Sequence, residues 1–155
     1  MKSLEEIIKQ EPVFMNDWSS RIGVIGDFEG VYMTDEEYEE LVYPNDTYRL
    51  NEKESMTRAL EKYKDVNILF ASYGNANYSG EAWVLFEQDG KLYEVNGGHC
   101  SCYGLEDQWS PEDVMLEELE HRLVNGTFGE DSYADNYFKE RLCEFLGVEY
   151  KENEE

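Results

Sequence analysis

The centre of the chain, from Val66 to Val95, constrains the fold more than any other part of the sequence. Three runs there are rich in the β-branched and aromatic residues that strands favour: Val66–Tyr73, Ala82–Gln88 and Lys91–Val95. Asp89-Gly90 separates the second run from the third, and this dipeptide is a strong signal for a two-residue hairpin turn. We therefore expect a three-stranded antiparallel meander over about residues 66–95, with the Gly74–Gly80 loop joining its first two strands.

Helical patterns flank this meander on both sides. Helices are expected over about residues 3–10, 34–42, 53–64, 110–123 and 132–146. Capping boxes mark the first two starts, Ser110-Pro111 marks the fourth, and its buried stripe would be Met115, Leu116, Leu119 and Leu123. Residues 11–33 are rich in glycine and aromatic residues, which predicts a loop with one short strand near Gly23–Ile25.

These elements predict an α+β fold in one domain. The meander would pack with four to five helices over residues 1–150, and the acidic residues 151–155 would form a frayed tail. The N-terminus lacks the apolar stretch of a signal peptide, and no apolar run approaches the length needed to span a bilayer. Three cysteines do not make a disulfide framework, so we expect a cytoplasmic protein.

Net charge excludes two classes of partner. The chain has 36 acidic residues against 13 Lys and Arg, for a formal net charge of −23 on 155 residues. Neutralising the phosphates of a nucleic acid requires surplus basic residues, so direct DNA or RNA binding is not expected. Attachment to an anionic membrane surface is excluded for the same reason.

The acidic residues are clustered, which is the main functional signal in the sequence. Ten of them lie between Asp27 and Glu54, interleaved with tyrosines, and seven lie between Glu106 and Glu120 with no Lys or Arg. Such clusters can resemble a nucleic-acid backbone and occupy a basic groove, although a solvated acidic face that only maintains solubility is the alternative. The expected partner-binding residues are Asp35, Glu36, Glu37, Tyr38, Glu39, Glu40, Tyr43, Glu112, Asp113, Glu117 and Glu120.

His99-Cys100-Ser101-Cys102 offers a second hypothesis, a small zinc-binding domain. Two thiols and an imidazole could supply three zinc ligands, but only one residue separates the cysteines, whereas two is usual. A fourth ligand would have to come from His121, Cys143 or a carboxylate such as Asp107. Packed, inert thiols are the simpler interpretation, so no cofactor is expected.

Nucleophilic catalysis by Cys100 or Cys102 is a third hypothesis, with His99 or His121 as the base. The side chains of adjacent residues such as His99 and Cys100 usually diverge, which opposes a Cys–His pair. The surrounding acidic residues would also raise the pKa of a thiol rather than lower it. We therefore do not expect an enzyme.

The stretch GKLYEVNGGHCSCYGLEDQW, residues 90–109, resembles a group of small phage and prophage proteins to which no activity is assigned. Together with the Ile68–Tyr73 and Ala82–Glu87 segments, the resemblance covers about residues 66–123. It implies a phage context, in which small accessory proteins often block host enzymes or defence systems. The combined expectation is a phage-encoded inhibitor of the anti-CRISPR or anti-restriction type, an acidic nucleic-acid mimic whose partner is a host protein with a basic groove.

Overall fold

The computed structural model describes residues 1–40, 47–74, 79–100, 103–131 and 136–151. The helices in these ranges are α1 (Leu4–Lys9), α2 (Arg21–Glu29), α3 (Asp35–Glu39), α4 (Thr47–Lys62), α5 (Leu116–Asn125) and α6 (Lys139–Leu146). The strands are β1 (Val13–Asn16), β2 (Asn67–Tyr73), β3 (Gly80–Gln88), β4 (Lys91–His99), β5 (Glu112–Asp113), β6 (Glu130–Asp131) and β7 (Asn136–Tyr137). The fold is α+β, as the sequence predicts.

The main sheet contains the predicted meander and extends it at both edges. Its strand order is β1-β2-β3-β4-β5, and β1 pairs with β2 in parallel while the other neighbours are antiparallel. The expectation of three strands is therefore too low, because β1 and β5 are also part of this sheet. A separate two-stranded sheet is formed by β6 and β7.

The turn between β3 and β4 forms as the sequence predicts. Asp89 has φ of 53° and Gly90 has φ of 81°, the pair of positive values that a two-residue turn of type I′ requires. Gln88 and Lys91 are partners on either side of it, and the pairing continues without interruption to Gly80 and His99. This register fixes which residues of the hairpin face each side of the sheet.

Apolar side chains cover both faces of the sheet. Trp83 and Leu85 belong to a core cluster that includes residues of α1, α5 and α6, whereas Val84 and Phe86 belong to a second cluster with residues of α2 and α4. Strands buried on both faces need apolar residues at successive positions. This explains why the central runs are almost continuously apolar instead of alternating. We refer to the two sides as the α5 face and the α2 face.

Residues 11–33 are not the predicted loop. They form β1 and α2, and the expected strand around Gly23–Ile25 is instead part of that helix. A Cβ atom at Gly26 would lie 2.2 Å from the Val31 carbonyl oxygen and 3.1 Å from Met56 Cε. This glycine therefore serves close packing, and the glycine content of the segment was misleading as a loop signal.

The helix expected from Ser110 begins later, at Leu116, and Met115 is 67 % exposed instead of buried. Glu112 and Asp113 form β5, which pairs with Glu94 and Tyr93 on β4. The unpaired backbone groups along the edge of β4 gain hydrogen bonds from β5, and this long-range pairing overrides the local helix signal. Leu119 and Leu123 are buried as predicted.

Three other helix boundaries differ from expectation. The second predicted helix, α3, ends at Glu39, α4 begins at Thr47 rather than Lys53, and α6 begins at Lys139 rather than Ser132. The expected boundary near Val42 and Pro44, residues 75–78 of the predicted loop and tail residues 152–155 lie outside the described residues. Helix α1 and its Ser3/Glu6 capping box are confirmed. None of the described helices combines the length and apolarity needed to cross a bilayer.

Candidate functional site: an acidic cavity beside the parallel strands

A cavity of about 730 Å³ lies where the chain leaves β1 and enters α2. Its wall includes Asp17, Trp18, Ser20 and Asp27, together with residues 31–37 at the start of α3. The backbone N–H of Asp17 donates to the carbonyl oxygen of Tyr73 at 2.9 Å, which places this wall at the carboxyl ends of the two parallel strands. The cavity thus lies on the α2 face and is lined by the segment after β1, by α2 and by the start of α3.

Aromatic stacking and hydrogen bonds fix the inner wall of the cavity. Trp18 is 3 % exposed, stacks on Tyr73 with 5.0 Å between ring centroids, and donates from Nε1 to Asp27 Oδ2 at 2.7 Å. The hydroxyl of Tyr73 is hydrogen-bonded to His99 Nδ1 at 2.7 Å. A Cβ atom at Gly80 would lie 2.5 Å from the His99 ring, so only glycine at that position admits this arrangement.

The wall of the cavity disfavours the ionised form of Asp27. Its burial raises its pKa, and the nearby carboxylates of Glu106 and Asp17 raise it further, whereas the hydrogen bond from Trp18 lowers it. The net shift is upward, so these opposing effects do not cancel. Asp17 and Glu106 are therefore both close enough to Asp27 to disfavour its ionised form.

A hydrogen bond between Tyr32 and Glu106 joins two segments that are far apart in sequence. The exposed Tyr32 hydroxyl donates to Glu106 Oε1, which raises the pKa of Tyr32 to about 12 and lowers that of Glu106. Glu106 belongs to the loop after β4, while Tyr32 precedes α3. The bond therefore brings a residue of the second acidic run beside the first.

The acidic residues of α3 differ in how they are engaged. Asp35 accepts a hydrogen bond from Ser20 Oγ at 2.7 Å, and Glu37 pairs with Arg49 Nη1 at 2.6 Å. Glu36, Glu39 and Glu40 are exposed, and none of them forms an ion pair with a described residue. These three carboxylates remain accessible to a partner.

Of the two tyrosines expected among the partner-binding residues, the structure describes one. Tyr38 is partly buried against α4, where its hydroxyl is 2.9 Å from Thr57 Oγ1 and Lys53 Nζ lies 5.4 Å from its ring centroid. Tyr43 lies outside the described residues. The more exposed aromatic residue beside the cavity is Tyr32, at 59 %.

The second expected group of acidic residues lies elsewhere. Glu112 and Asp113 are in β5, and Glu117 and Glu120 are in α5, whose apolar side packs on the α5 face. The structure therefore separates this group from α3, which is bound to α2 and α4 on the other face. Asp113 lies in a strand rather than in the helix expected over residues 110–123.

The residues considered for zinc binding or catalysis are only partly described. His99 Nδ1 is engaged by Tyr73, Cys100 is half-buried, and Cys102 lies outside the described residues. His121 is on α5, where its Nδ1 is 3.1 Å from Asn125 Nδ2. Within the part of the chain that the structure describes, no three His, Cys, Asp or Glu side chains are grouped as metal ligands.

The sequence did not predict that Asp17 and Asp27 line one cavity with Glu106 close to Asp27. Asp27 and Glu106 were counted among acidic runs, but their proximity depends on α2, which was not predicted, and on the conformation of the loop after β4. No family model matches this chain, and neither curated proteins nor solved structures give a significant match. The interpretation of the site therefore depends on its own geometry and charge.

Proposed function

We propose that this protein inhibits a nucleic-acid-acting host enzyme by placing its acidic α2 face in that enzyme's basic groove. The observation that carries the proposal is the grouping of Asp17 and Asp27 with the α3 carboxylates in the wall of one cavity, with Glu106 close to Asp27. The proposed partner is a protein rather than a nucleic acid, because the formal net charge of −23 would repel phosphate. The same proposal includes that the protein is encoded by a phage and acts in the cytoplasm of the host.

The energetic cost of this arrangement supports a binding role. Burial and neighbouring carboxylates make ionised Asp27 unfavourable in the free protein. Cationic side chains of a partner would relieve this repulsion, so part of the binding free energy would come from neutralising charges that are already close together. An acidic surface that served only solubility would not need carboxylates in a partly buried wall.

The spacing of the exposed carboxylates also suits a basic groove. Glu36 and Glu40 are one helical turn apart, so their Cβ atoms are about 5–6 Å from each other. Phosphates along one strand of DNA are separated on a similar scale. Long-range attraction between such an array and a basic groove accelerates association and weakens as salt rises.

The test begins with the wild-type protein as bait in a nuclease-treated bacterial lysate. A captured nucleic-acid enzyme is identified and purified, and its affinity for DNA or RNA is measured with increasing amounts of the bait. Competitive loss of nucleic-acid binding is the expected result. If the purified partner binds nucleic acid equally well in the presence of the bait, the proposal is wrong.

Charge reversal then tests the surface. The variant Glu36→Lys/Glu39→Lys/Glu40→Lys is expected to bind the enzyme at least about tenfold more weakly, a loss of about 1.4 kcal/mol. The matched control is Glu11→Lys/Glu140→Lys/Glu149→Lys, which changes the net charge equally at exposed positions next to α1 and α6. Equal losses in both variants would mean that net charge, and not the α2 face, determines binding.

A further inference from the structure

Two asparagines of this chain are followed directly by glycine, in Asn96-Gly97 and Asn125-Gly126. An asparagine in this context is able to lose its side-chain amide without an enzyme, because the backbone nitrogen of the next residue attacks the side-chain carbonyl carbon. Glycine leaves that nitrogen unhindered, since it has no side chain and its backbone rotates freely. The attack requires a nitrogen that is not held by a hydrogen bond, so the fold decides which of the two asparagines reacts.

Asn96-Gly97 lies within strand β4, where the sheet holds the attacking nitrogen. Gly97 is the partner of Ala82 on β3, in the centre of the main sheet. Gly98 donates to Gln108 Oε1 at 2.8 Å and accepts from Gln108 Nε2 at 2.7 Å, so its peptide groups point away from β3. Adjacent residues of an antiparallel strand point in opposite directions, and the N–H of Gly97 is therefore bonded to β3. It becomes free only when this part of the sheet opens.

Asn125-Gly126 lies at the end of α5, where the attacking nitrogen is free. Gly126 has φ of −137°, and none of the described residues accepts a hydrogen bond from its N–H. Helices α2 and α6 end differently, since Gly30 and Gly147 have positive φ and donate their N–H groups to carbonyl oxygens of the last turn. Helix α5 lacks this closing bond, which leaves the Gly126 nitrogen available for attack.

Two side-chain hydrogen bonds restrain this end of the helix. The Asn125 carboxamide is bonded to His121 Nδ1 at 3.1 Å, and the Gly126 carbonyl oxygen accepts from Lys139 Nζ at 3.3 Å. Asn125, Gly126 and Thr127 are all exposed to solvent. Local opening at an exposed helix end costs little free energy compared with opening a central strand. The Asn125 backbone can therefore leave its helical conformation and bring the carboxamide to the Gly126 nitrogen.

We propose that Asn125 deamidates spontaneously in the folded protein and that the sheet protects Asn96 from the same reaction. The Gly126 nitrogen gives its proton to solvent and forms a bond to Asn125 Cγ. The bond between Cγ and Nδ2 breaks, and ammonia leaves with a proton taken from water, so a cyclic succinimide remains. Water then opens the ring at one of its two carbonyl carbons and yields aspartate or isoaspartate. The overall reaction consumes water, releases ammonia and transfers no electrons.

The modification alters the end of a helix that contributes to the core. Each event adds a negative charge after the last turn of α5, and isoaspartate also adds a carbon atom to the main chain there. Leu119 and Leu123 of the same helix are buried in the core of the α5 face. The site is separate from the acidic cavity on the α2 face, so this proposal does not depend on the proposed inhibition.

The test compares the two asparagines within one chain. Folded full-length protein is incubated at mildly alkaline pH, which favours loss of the proton from the backbone nitrogen, and a parallel sample is incubated unfolded in guanidinium chloride. Trypsin cleaves after Lys91, Arg122 and Lys139, so Asn96 is recovered in peptide 92–122 and Asn125 in peptide 123–139. Mass spectrometry of both peptides over time gives the rate of amide loss at each site.

Both asparagines are expected to react at comparable rates in the unfolded chain. Folding is expected to slow the reaction of Asn96 at least about tenfold more than that of Asn125, because only Asn96 requires opening of the central strands. Equal slowing at the two sites, or greater slowing at Asn125, would overturn the proposal. It would also be overturned if the folded protein showed no measurable amide loss at Asn125 while the unfolded chain reacted.

Gly126→Ala tests whether the Gly126 nitrogen is the attacking group. The added methyl group hinders the attack, so amide loss in peptide 123–139 is expected to be at least about tenfold slower than in wild type. Thr127→Ala changes the next exposed residue and is the matched control, which should react at the wild-type rate. An unchanged rate in Gly126→Ala would contradict the assigned step.

Asn125→Gln provides a second variant, because a Cβ atom at Gly126 would lie 3.0 Å from the Arg122 carbonyl oxygen and could disturb the helix end. Glutamine keeps an exposed carboxamide, but its longer side chain forms the cyclic intermediate much more slowly. The variant is expected to abolish amide loss in peptide 123–139 and to leave the rate at Asn96 unchanged. Persistent loss in peptide 123–139 would place the reaction at Asn136 instead and would refute the proposed site.

Discussion

On the α5 face, the most deeply buried charged groups are paired with opposite charges. Glu94 is 4 % exposed and accepts from Arg122 Nη1 at 2.9 Å, and Lys139 pairs with Glu130. On the α2 face, the half-buried Asp27 accepts from the neutral indole of Trp18 and faces other carboxylates. The buried charges of Glu94 and Lys139 are therefore compensated by ion pairs, whereas the charge of Asp27 is not.

The pKa values of two carboxylates express this difference. Burial alone raises the pKa of Glu94, but the hydrogen bonds from Arg122 and Trp83 outweigh it, and the net shift is downward. For Asp27 the net shift is upward. Ionised Glu94 thus stabilises the fold, whereas ionised Asp27 opposes it. We infer that the α5 face is organised for stability and that the α2 face keeps its carboxylates for binding.

The largest effect is expected from removing a cation on the α5 face. Arg122→Met leaves Glu94 buried with its charge unpaired, and we expect a loss of about 3 kcal/mol in the free energy of unfolding. Urea denaturation near pH 7 measures this loss. Because the pKa of Glu94 is lowered by folding, the stabilisation by the pair, and with it the deficit, should be lost as pH falls below the normal range for glutamate toward the lowered pKa of the folded state. A deficit independent of pH would contradict the assigned pairing.

The capping boxes of α1 and α3 allow two matched substitutions to be compared, and we expect smaller effects on stability from them. Ser3→Ala should cost about 1 kcal/mol, because α1 contributes the fully buried Ile7 to the core and its cap is coupled to global unfolding. Thr34→Ala removes the equivalent bond from α3, which has no buried residue. Its cost should therefore appear mainly as faster amide hydrogen exchange within α3. Equal losses of global stability would show that α3 is part of the cooperative core.

The smallest expected effect is a gain in stability rather than a loss. Asp27→Asn retains an oxygen acceptor for Trp18 and removes the charge, so the variant should be more stable than wild type at neutral pH. Because folding raises the pKa of Asp27, the wild-type carboxyl disfavours folding only once pH has risen above its unfolded-state pKa. The advantage should thus disappear at acidic pH. Thermal unfolding at pH 7 and pH 3 tests this, and a less stable variant at pH 7 would refute it.

The sequence predicted the elements whose signals are local. The Asp89-Gly90 turn, the three central strands and the Ser3/Glu6 cap each depend on neighbouring residues, and all are confirmed. Strands β1 and β5 have two to four residues and form through pairing with strands distant in the chain. Their local patterns are too short to identify them, and Ser110-Pro111 even indicated a helix.

The sequence predicted the acidic character of the candidate site but not which residues the fold brings together there. The acidic residues of α3 were identified because they are clustered in the sequence. Residues this close in sequence stay close together in a helix, so the fold was not needed to place them. The meeting of Asp17, Asp27 and Glu106 depends on the parallel β1–β2 pair and on the Tyr32–Glu106 bond.

The central claim is that the α2 face binds a partner by occupying its nucleic-acid groove. The most direct measurement is the affinity of the purified partner for wild-type protein as a function of salt, with and without a saturating DNA or RNA ligand. The account predicts that affinity falls steeply as salt rises and that the nucleic acid abolishes binding, with the Glu36/Glu39/Glu40 reversal flattening the salt dependence. Binding that is insensitive to salt, or that persists on the nucleic-acid-bound partner, would contradict it.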